Sequence, residues 1–395
     1  MRTSSTSLMA RIASARARQV GATLARQTSI GAPGMINLAS GTPDFPTPPH
    51  VVEAGQRALA EGKTVYTAWA GLPALREAIA EQLRREKGLA VDPESEIIVT
   101  AGSQAAMLTV TLALLDPGDE VLVPTPFYDE YRRDIMLAGA TMVPVPTLLE
   151  DSFEVEPSAL EAAITPRTKA MILISPSNPT GAVIELSTLL RIASIAHRHD
   201  LLVIWDELYE RFVYDGFTHA SFAALPGMWE RTVVINGFSK CYGMTGWRVG
   251  YVAARREIAD AMLPIAHGMT ICAPSVSQYA ALAAINGPTA WFEEVLAEYD
   301  RRRRLWMQAL DAMGLPYGRP RGAYYIMPSI TSTGLSSQQF ARALREEAKV
   351  MIGGAGGATD PFNEGFVRGS LAAPYIQLEQ GLERMAAIVK KYQGS

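Results

Sequence analysis

The segment from Asn236 to Tyr251, NGFSKCYGMTGWRVGY, places Arg248 eight residues after Lys240. A lysine amine can form an imine with an aldehyde, and a guanidinium fork can grip a phosphate. Pyridoxal phosphate (PLP) carries both groups, so the pairing predicts a PLP enzyme. A Ser239-Lys240 pair after an apolar run is ordinarily just a solvated lysine. Here no other lysine lies between Lys169 and Lys349, so few candidates compete. The expected role of Lys240 is to hold the cofactor by its aldehyde. Once a substrate amine displaces it, the free amine can move protons at the substrate α-carbon.

Other residues could complete such a site. Asp206 would face the pyridine nitrogen and favour the protonated, electron-accepting ring; its bland reading is a helix N-cap. Tyr209 could donate to the phenolic oxygen, or be a core tyrosine with a satisfied hydroxyl. Asn178 belongs to the turn Asn178-Pro179-Thr180-Gly181 and could reach that oxygen or a substrate carboxylate. Gly102-Ser103-Gln104 precedes a helix whose first N–H groups would cradle a phosphate. Tyr128 could stack on the ring, although core packing is the usual fate of such a residue.

The elements needed to gather these residues are visible as apolar runs. Ile97–Thr100, Glu120–Val123, Ala170–Ile174, Leu201–Trp205 and Thr232–Ile235 read as strands, with helix-like stretches at Gln104–Leu115 and Leu186–His199 between them. Continuous apolar strands alternating with helices predict an α/β fold: a three-layer, mostly parallel sheet covered on both faces. Ligands bind beyond the carboxyl ends of such strands, which is where the candidates fall. After about residue 285 the pattern shifts to a smaller α+β unit. The expected division is 1–45 as arm and start of the small domain, 46–285 as the large PLP-binding domain, and 286–395 as the small domain. Within Trp291–Met313 the run Arg301–Arg304 follows Glu293, Glu294, Glu298 and Asp300 and reads as a solvated helix face. Gly353-Gly354-Ala355-Gly356-Gly357 reads as a loop.

Composition excludes several classes. The 395 residues are 48% hydrophobic and 19% charged, as in a globular protein, with a net charge of -4 that offers no field for nucleic acid or anionic membrane. No apolar run is long enough to span a bilayer. The two cysteines, Cys241 and Cys272, do not make a disulfide framework and fit a cytoplasmic location. The five histidines are scattered and suggest no metal site. Met1–Gln27 is rich in Ser and Arg and lacks acidic residues, as a targeting peptide would be. A packed amphipathic arm is the favoured reading.

Taken together, the chain resembles the class I/II aminotransferases of the aspartate aminotransferase fold (PLP fold type I). The resemblance is carried by INLASGTPDFPTP (36–48), YTAWAGLPALREAIA (66–80), VTAGSQAAM (99–107), LLDPGDEVLVPTPFYDEY (114–131), SPSNPTGAV (175–183), WDELYERFVYDG (205–216), the Lys240 segment and GFVRGSLA (365–372). It implies a Schiff-base role for Lys240, the pyridinium partner in Asp206, and oxygen ligands in Tyr209 and Asn178. It also implies phosphate contacts from Arg248, a stacking Tyr128, and α-carboxylate contacts from Arg368 and the backbone of Gly41. Tyr66 would reach the phosphate of a neighbouring subunit, implying a homodimer with shared sites. Two features depart from the pattern. A glycine-rich stretch replaces the usual Pro-Gly turn before Arg368, and Ile265–Pro274 holds no arginine for a second substrate carboxylate. The expected activity is amino-group transfer between an L-amino acid and a 2-oxo acid. Elimination, replacement, decarboxylation or oxidation on the same scaffold is the alternative. A third reading is a non-catalytic ligand sensor, disfavoured because only a short arm precedes residue 36 and the chain is not basic.

Overall fold

The computed structural model describes residues 13–23, 34–354 and 363–394. A two-residue strand, β1 (Ile36–Asn37), opens the body, and seven strands then form the central sheet. They are β2 (Ile97–Thr100), β3 (Glu120–Thr125), β4 (Thr141–Pro146), β5 (Thr168–Ile174), β6 (Leu202–Asp206), β7 (Thr232–Gly237) and β8 (Gly250–Ala253). Their spatial order is β2-β8-β7-β6-β5-β3-β4, and only β8 runs antiparallel to its neighbours. Central strands are buried on both faces: Val233, Val234 and Ile235 are fully covered, as are Val203, Ile204 and Trp205. Each such side chain contributes about 1.5–3 kcal/mol of burial free energy, which is why these strands read as unbroken apolar runs. The prolines of β4, Pro144 and Pro146, are tolerated because β4 is an edge strand.

The antiparallel insertion of β8 decides the site. Because β8 starts where its neighbours end, Gly250 pairs with both Gly237 at the end of β7 and Thr100 at the end of β2. The loop before β8 therefore delivers Arg248 to the carboxyl edge of the sheet. Gly250 has to be glycine, because a Cβ there would lie 2.7 Å from the Ser103 backbone nitrogen.

The remaining elements close one side of that edge. Strands β9 (Tyr325–Ile326), β10 (Val350–Met351), β11 (Gly353–Gly354) and β12 (Val367–Ser370) make two small sheets, β1-β10 and β11-β12-β9. Helices Trp291–Met313, Ser337–Glu347 and Tyr375–Gln393 pack around them. The helix at Ser337 starts from a capping box in which Ser336 and Gln339 exchange side-chain and backbone hydrogen bonds. A helix at Ala15–Thr23 lies beside the helix Glu130–Ala138.

Two expectations are corrected. The run Arg301–Arg304 is not a solvated face throughout: Arg301 and Arg304 are exposed, but Arg302 and Arg303 are buried. Arg302 Nη1 donates to both oxygens of Asp44 at 2.8 and 2.9 Å, and Arg303 grips Asp215 at 2.7 and 2.9 Å. These acids lie far away in sequence, so local charge pattern could not reveal them. The glycine stretch is also not wholly a loop. Gly353 and Gly354 form β11, paired with Arg368 and Val367, while residues 355–357 lie outside the described residues.

Candidate functional site

The carboxyl edge of the sheet opens into a cleft of about 420 Å³. It is lined by Gly41, Ser103, Gln104, Tyr128, Asn178, Asp206, Tyr209, Ser239, Lys240, Arg248 and Arg368, together with Tyr131 and Tyr325. Of the residues expected from the sequence, Gly102 lies at its rim beneath Arg248. Tyr66 is not among them. It is 75% exposed on the outside of the chain, next to exposed Val65 and Trp69.

Lys240 follows β7, and its Nζ donates to the Gly41 carbonyl at 2.6 Å. Burial, together with the charges of Arg368 and Arg248, lowers the Lys240 pKa against the opposing influence of Tyr325 and Asp206. A lowered pKa leaves more of the amine neutral, and the neutral amine is the nucleophile. Asp206, the last residue of β6, is almost wholly buried. Its Oδ2 accepts from the Tyr131 hydroxyl at 2.7 Å and its Oδ1 from the Leu208 N–H at 3.1 Å. A turn rather than a helix follows Asp206, so the residue caps that turn through the Leu208 N–H and is not a helix N-cap. Burial pushes its carboxyl up to about 6 despite those two donors. A buried carboxylate in that condition would be stabilised by a cationic partner.

At the other end of the cleft, the helix Ser103–Leu114 starts with Gly102 at φ 89°, a conformation suited to glycine. Among the described residues no side chain caps its start, and a Cβ on Gly102 would sit 2.5 Å from the Arg248 guanidinium. Backbone donors, a helix dipole and an arginine thus converge on one spot, which suits an anion. Arg248 itself holds φ 52°, an uncommon left-handed conformation for a non-glycine residue. Gln104 Nε2 donates to buried Asp134 at 2.8 Å, and burial pushes Asp134 up to about 7.

Arg368, on β12, reaches the cleft beside Asn178. Its Nη1 donates to Asn178 Oδ1 at 3.1 Å and its Nη2 to the Ala39 carbonyl at 3.2 Å. Among the described residues its Nε is buried without a hydrogen-bond partner, and its guanidinium lies 4.8 Å from the centre of the Tyr325 ring. A Cβ at residue 353 would stand 3.1–3.5 Å from Arg368, so the glycine of β11 allows the arginine its place. Tyr128 meets Tyr131 edge-on at the cleft wall, with ring centres 5.6 Å apart.

Sequence reasoning missed Tyr131, Tyr324 and Tyr325. Tyr131 lies three residues after Tyr128, and that spacing was the available signal. Tyr324 donates to the Gly41 carbonyl at 2.8 Å, and Tyr325 meets the Tyr209 hydroxyl at 3.1 Å. Both sit in the run Ala323–Met327, whose sequence reads only as strand-like. Among the described residues one group has metal-ligand spacing: Glu207, Glu210 and His219. The Lys87 ammonium pairs with both carboxylates and occupies the position a cation would take. Burial alone would raise Glu207; Lys87 and His219 outweigh it and hold the carboxyl well below the usual range.

Residues 33–384 match the family described as aminotransferase class I and II. The chain is 44% identical over 363 residues to an aspartate aminotransferase of Pyrococcus abyssi, covering 91% of this chain and 93% of that one. It is 41% identical to aromatic-amino-acid aminotransferase 2 of Thermococcus litoralis over the same shares of each chain. Among solved structures it resembles the aromatic aminotransferase of Pyrococcus horikoshii, with a TM-score of 0.88 at 44% identity over 91% and 97% of the chains. It also resembles the aspartate aminotransferase of Thermus thermophilus with maleate, with a TM-score of 0.86 at 39% identity over 98% and 100%.

Proposed function

Because this chain belongs to the class I and II aminotransferases and moves an amino group between an amino acid and a 2-oxo acid, we propose that it does so with PLP seated in the Lys240 cleft. The observation that carries this reading is the convergence of four complementary groups in one cleft. They are a buried amine of lowered pKa, a buried carboxylate raised to about 6, an uncapped helix start under an arginine, and an arginine with an unpartnered buried Nε. Each suits one part of the cofactor or substrate: aldehyde, ring nitrogen, phosphate and α-carboxylate.

Bound there, the cofactor would supply an aldehyde and a ring that accepts the electrons of the α-carbon. Lys240 would hold the cofactor by its aldehyde and, once freed, would be placed to move a proton at the substrate α-carbon. Asp206, held by Tyr131 and the Leu208 N–H, would face the ring nitrogen and favour its protonated form. Tyr209 and Asn178 would address the phenolic oxygen. Gly102, Ser103, Gln104, Ser239 and Arg248 would hold the phosphate, and Tyr128 would cover the ring. Arg368 binds the α-carboxylate with the help of Asn178 and the Gly41 backbone.

Tyr66 completes the phosphate site of a second copy, which is the reason we assign a homodimer. The exposed Val65, Tyr66 and Trp69 support that assignment. The chain divides into an arm (1–45), a PLP-binding domain (46–285) and a small domain (286–395), with the cleft between the last two. No described helix is long and apolar enough to cross a membrane. Two free cysteines, one buried, fit a cytoplasmic enzyme whose partners are small molecules rather than nucleic acid or membrane. The names of the relatives nominate aspartate and aromatic amino acids as first donors to test. The PLP-loaded protein is mixed with single amino acids, and release of the matching 2-oxo acid is measured. One equivalent per site without an acceptor, and turnover with one, is expected. Release of some other product would favour the alternative chemistries.

A further inference from the structure

We propose that Tyr325 is a positioning residue that braces two groups of the cleft, its hydroxyl supporting Tyr209 and its ring supporting Arg368. The proposal rests on the reading that PLP occupies this cleft. Tyr325 is 1% exposed and lies on β9, which pairs antiparallel with β12, the strand that carries Arg368. Its register partner is Ser370, two residues beyond Arg368. The two side chains are thereby held together by the ladder itself, with the guanidinium 4.8 Å from the ring centre.

The hydroxyl meets a second residue. It lies 3.1 Å from the Tyr209 hydroxyl, and the Tyr209 and Tyr325 rings meet edge-on at 5.7 Å. Each tyrosine has one hydrogen to donate. If Tyr209 spends its hydrogen on the phenolic oxygen of the cofactor, its lone pair remains for Tyr325, which must then be the donor. A chain of donors results, Tyr325 to Tyr209 to cofactor, and each bond polarises the next. Gly41 keeps the space open, since a Cβ there would stand 3.3 Å from the Tyr325 oxygen. The adjacent Tyr324 gives its hydroxyl hydrogen to the Gly41 carbonyl and so has none left to donate to Tyr209.

Two substitutions separate the two functions. Tyr325→Phe keeps the ring under Arg368 and removes the hydroxyl; Tyr325→Leu removes both. A weaker donor at the phenolic oxygen leaves more negative charge beside the nitrogen joined to Lys240, so that nitrogen holds its proton to higher pH. For Tyr325→Phe, the pH midpoint of the visible band of the PLP-loaded protein is expected to rise by about half a unit to one unit. The KM for the amino donor should stay within about twofold. Tyr325→Leu should show the same spectral shift and, in addition, a KM raised about five- to tenfold. An unshifted midpoint in Tyr325→Phe, or an equal rise in KM in both variants, would overturn the proposal. Thermal unfolding checks that both variants fold; should Tyr325→Leu not fold, the Tyr325→Phe titration decides alone. Absence of a visible band in the unmutated protein would instead refute the PLP reading.

Discussion

Two buried carboxyls report on the cleft at the level of single residues. Burial pushes Asp206 up to about 6 and Asp134 up to about 7, against about 3.9 for an exposed aspartate. Both bind protons more tightly in the folded chain than in the unfolded one. Their contribution to stability is therefore fully present below about pH 4 and is lost as pH rises through about 6 and 7. Asp134→Asn keeps an oxygen for Gln104 and removes the titration. It is expected to be more stable than the parent at pH 8, by on the order of 1 kcal/mol, with no gain near pH 4. Thermal melts at the two pH values check this, and an equal gain at both would contradict it. Asp206→Asn should lower kcat by about a hundredfold or more, because an amide cannot hold the ring-nitrogen proton as an anion does. A kcat within about threefold of the parent would remove Asp206 from its assigned place.

Elements, rather than single residues, bring the cleft together, and they were unevenly legible. The parallel strands could be read because double-sided burial forces unbroken apolar runs such as Thr232–Ile235. The antiparallel start of β8 could not, since nothing in Gly250–Ala253 encodes strand direction; yet it is what brings Arg248 over Gly102. Gly102→Ala is expected to weaken PLP binding at least about tenfold, because the added carbon would stand 2.5 Å from Arg248 on a backbone of positive φ. Titration of the cofactor-free protein with PLP measures this. The helix Trp291–Met313 was misread for a related reason. Its charge pattern shows which residues could ionise, while the partners Asp44 and Asp215 come from loops elsewhere in the fold. Arg302 and Tyr299 both bind Asp44, three residues past Gly41, so this helix anchors the segment whose carbonyl receives Lys240. Arg302→Met should leave Asp44 without its guanidinium and lower stability by about 2–4 kcal/mol in denaturant unfolding. A loss under about 0.5 kcal/mol would show the anchor to be dispensable. Gly353 was read as loop because glycine favours loops; in β11 it is needed for the missing Cβ beside Arg368.

For the whole molecule, Val65, Tyr66 and Trp69 are three large apolar side chains exposed within five residues of one another. Trp69→Arg is expected to convert a dimer to a monomer in sedimentation at micromolar concentration and to weaken PLP binding, since each site would lose the partner's tyrosine. A monomeric parent protein with full activity would refute shared sites. The central claim, that this fold exists to set Lys240 against the aldehyde of PLP, has a direct test. The PLP-loaded protein is reduced with borohydride, which turns an imine into a stable amine, then digested and mapped by mass spectrometry. The predicted result is a single cofactor-sized mass addition on the peptide containing Lys240, absent from Lys240→Ala. A label on Lys169, Lys349 or another lysine, or one that persists in Lys240→Ala, would contradict the account.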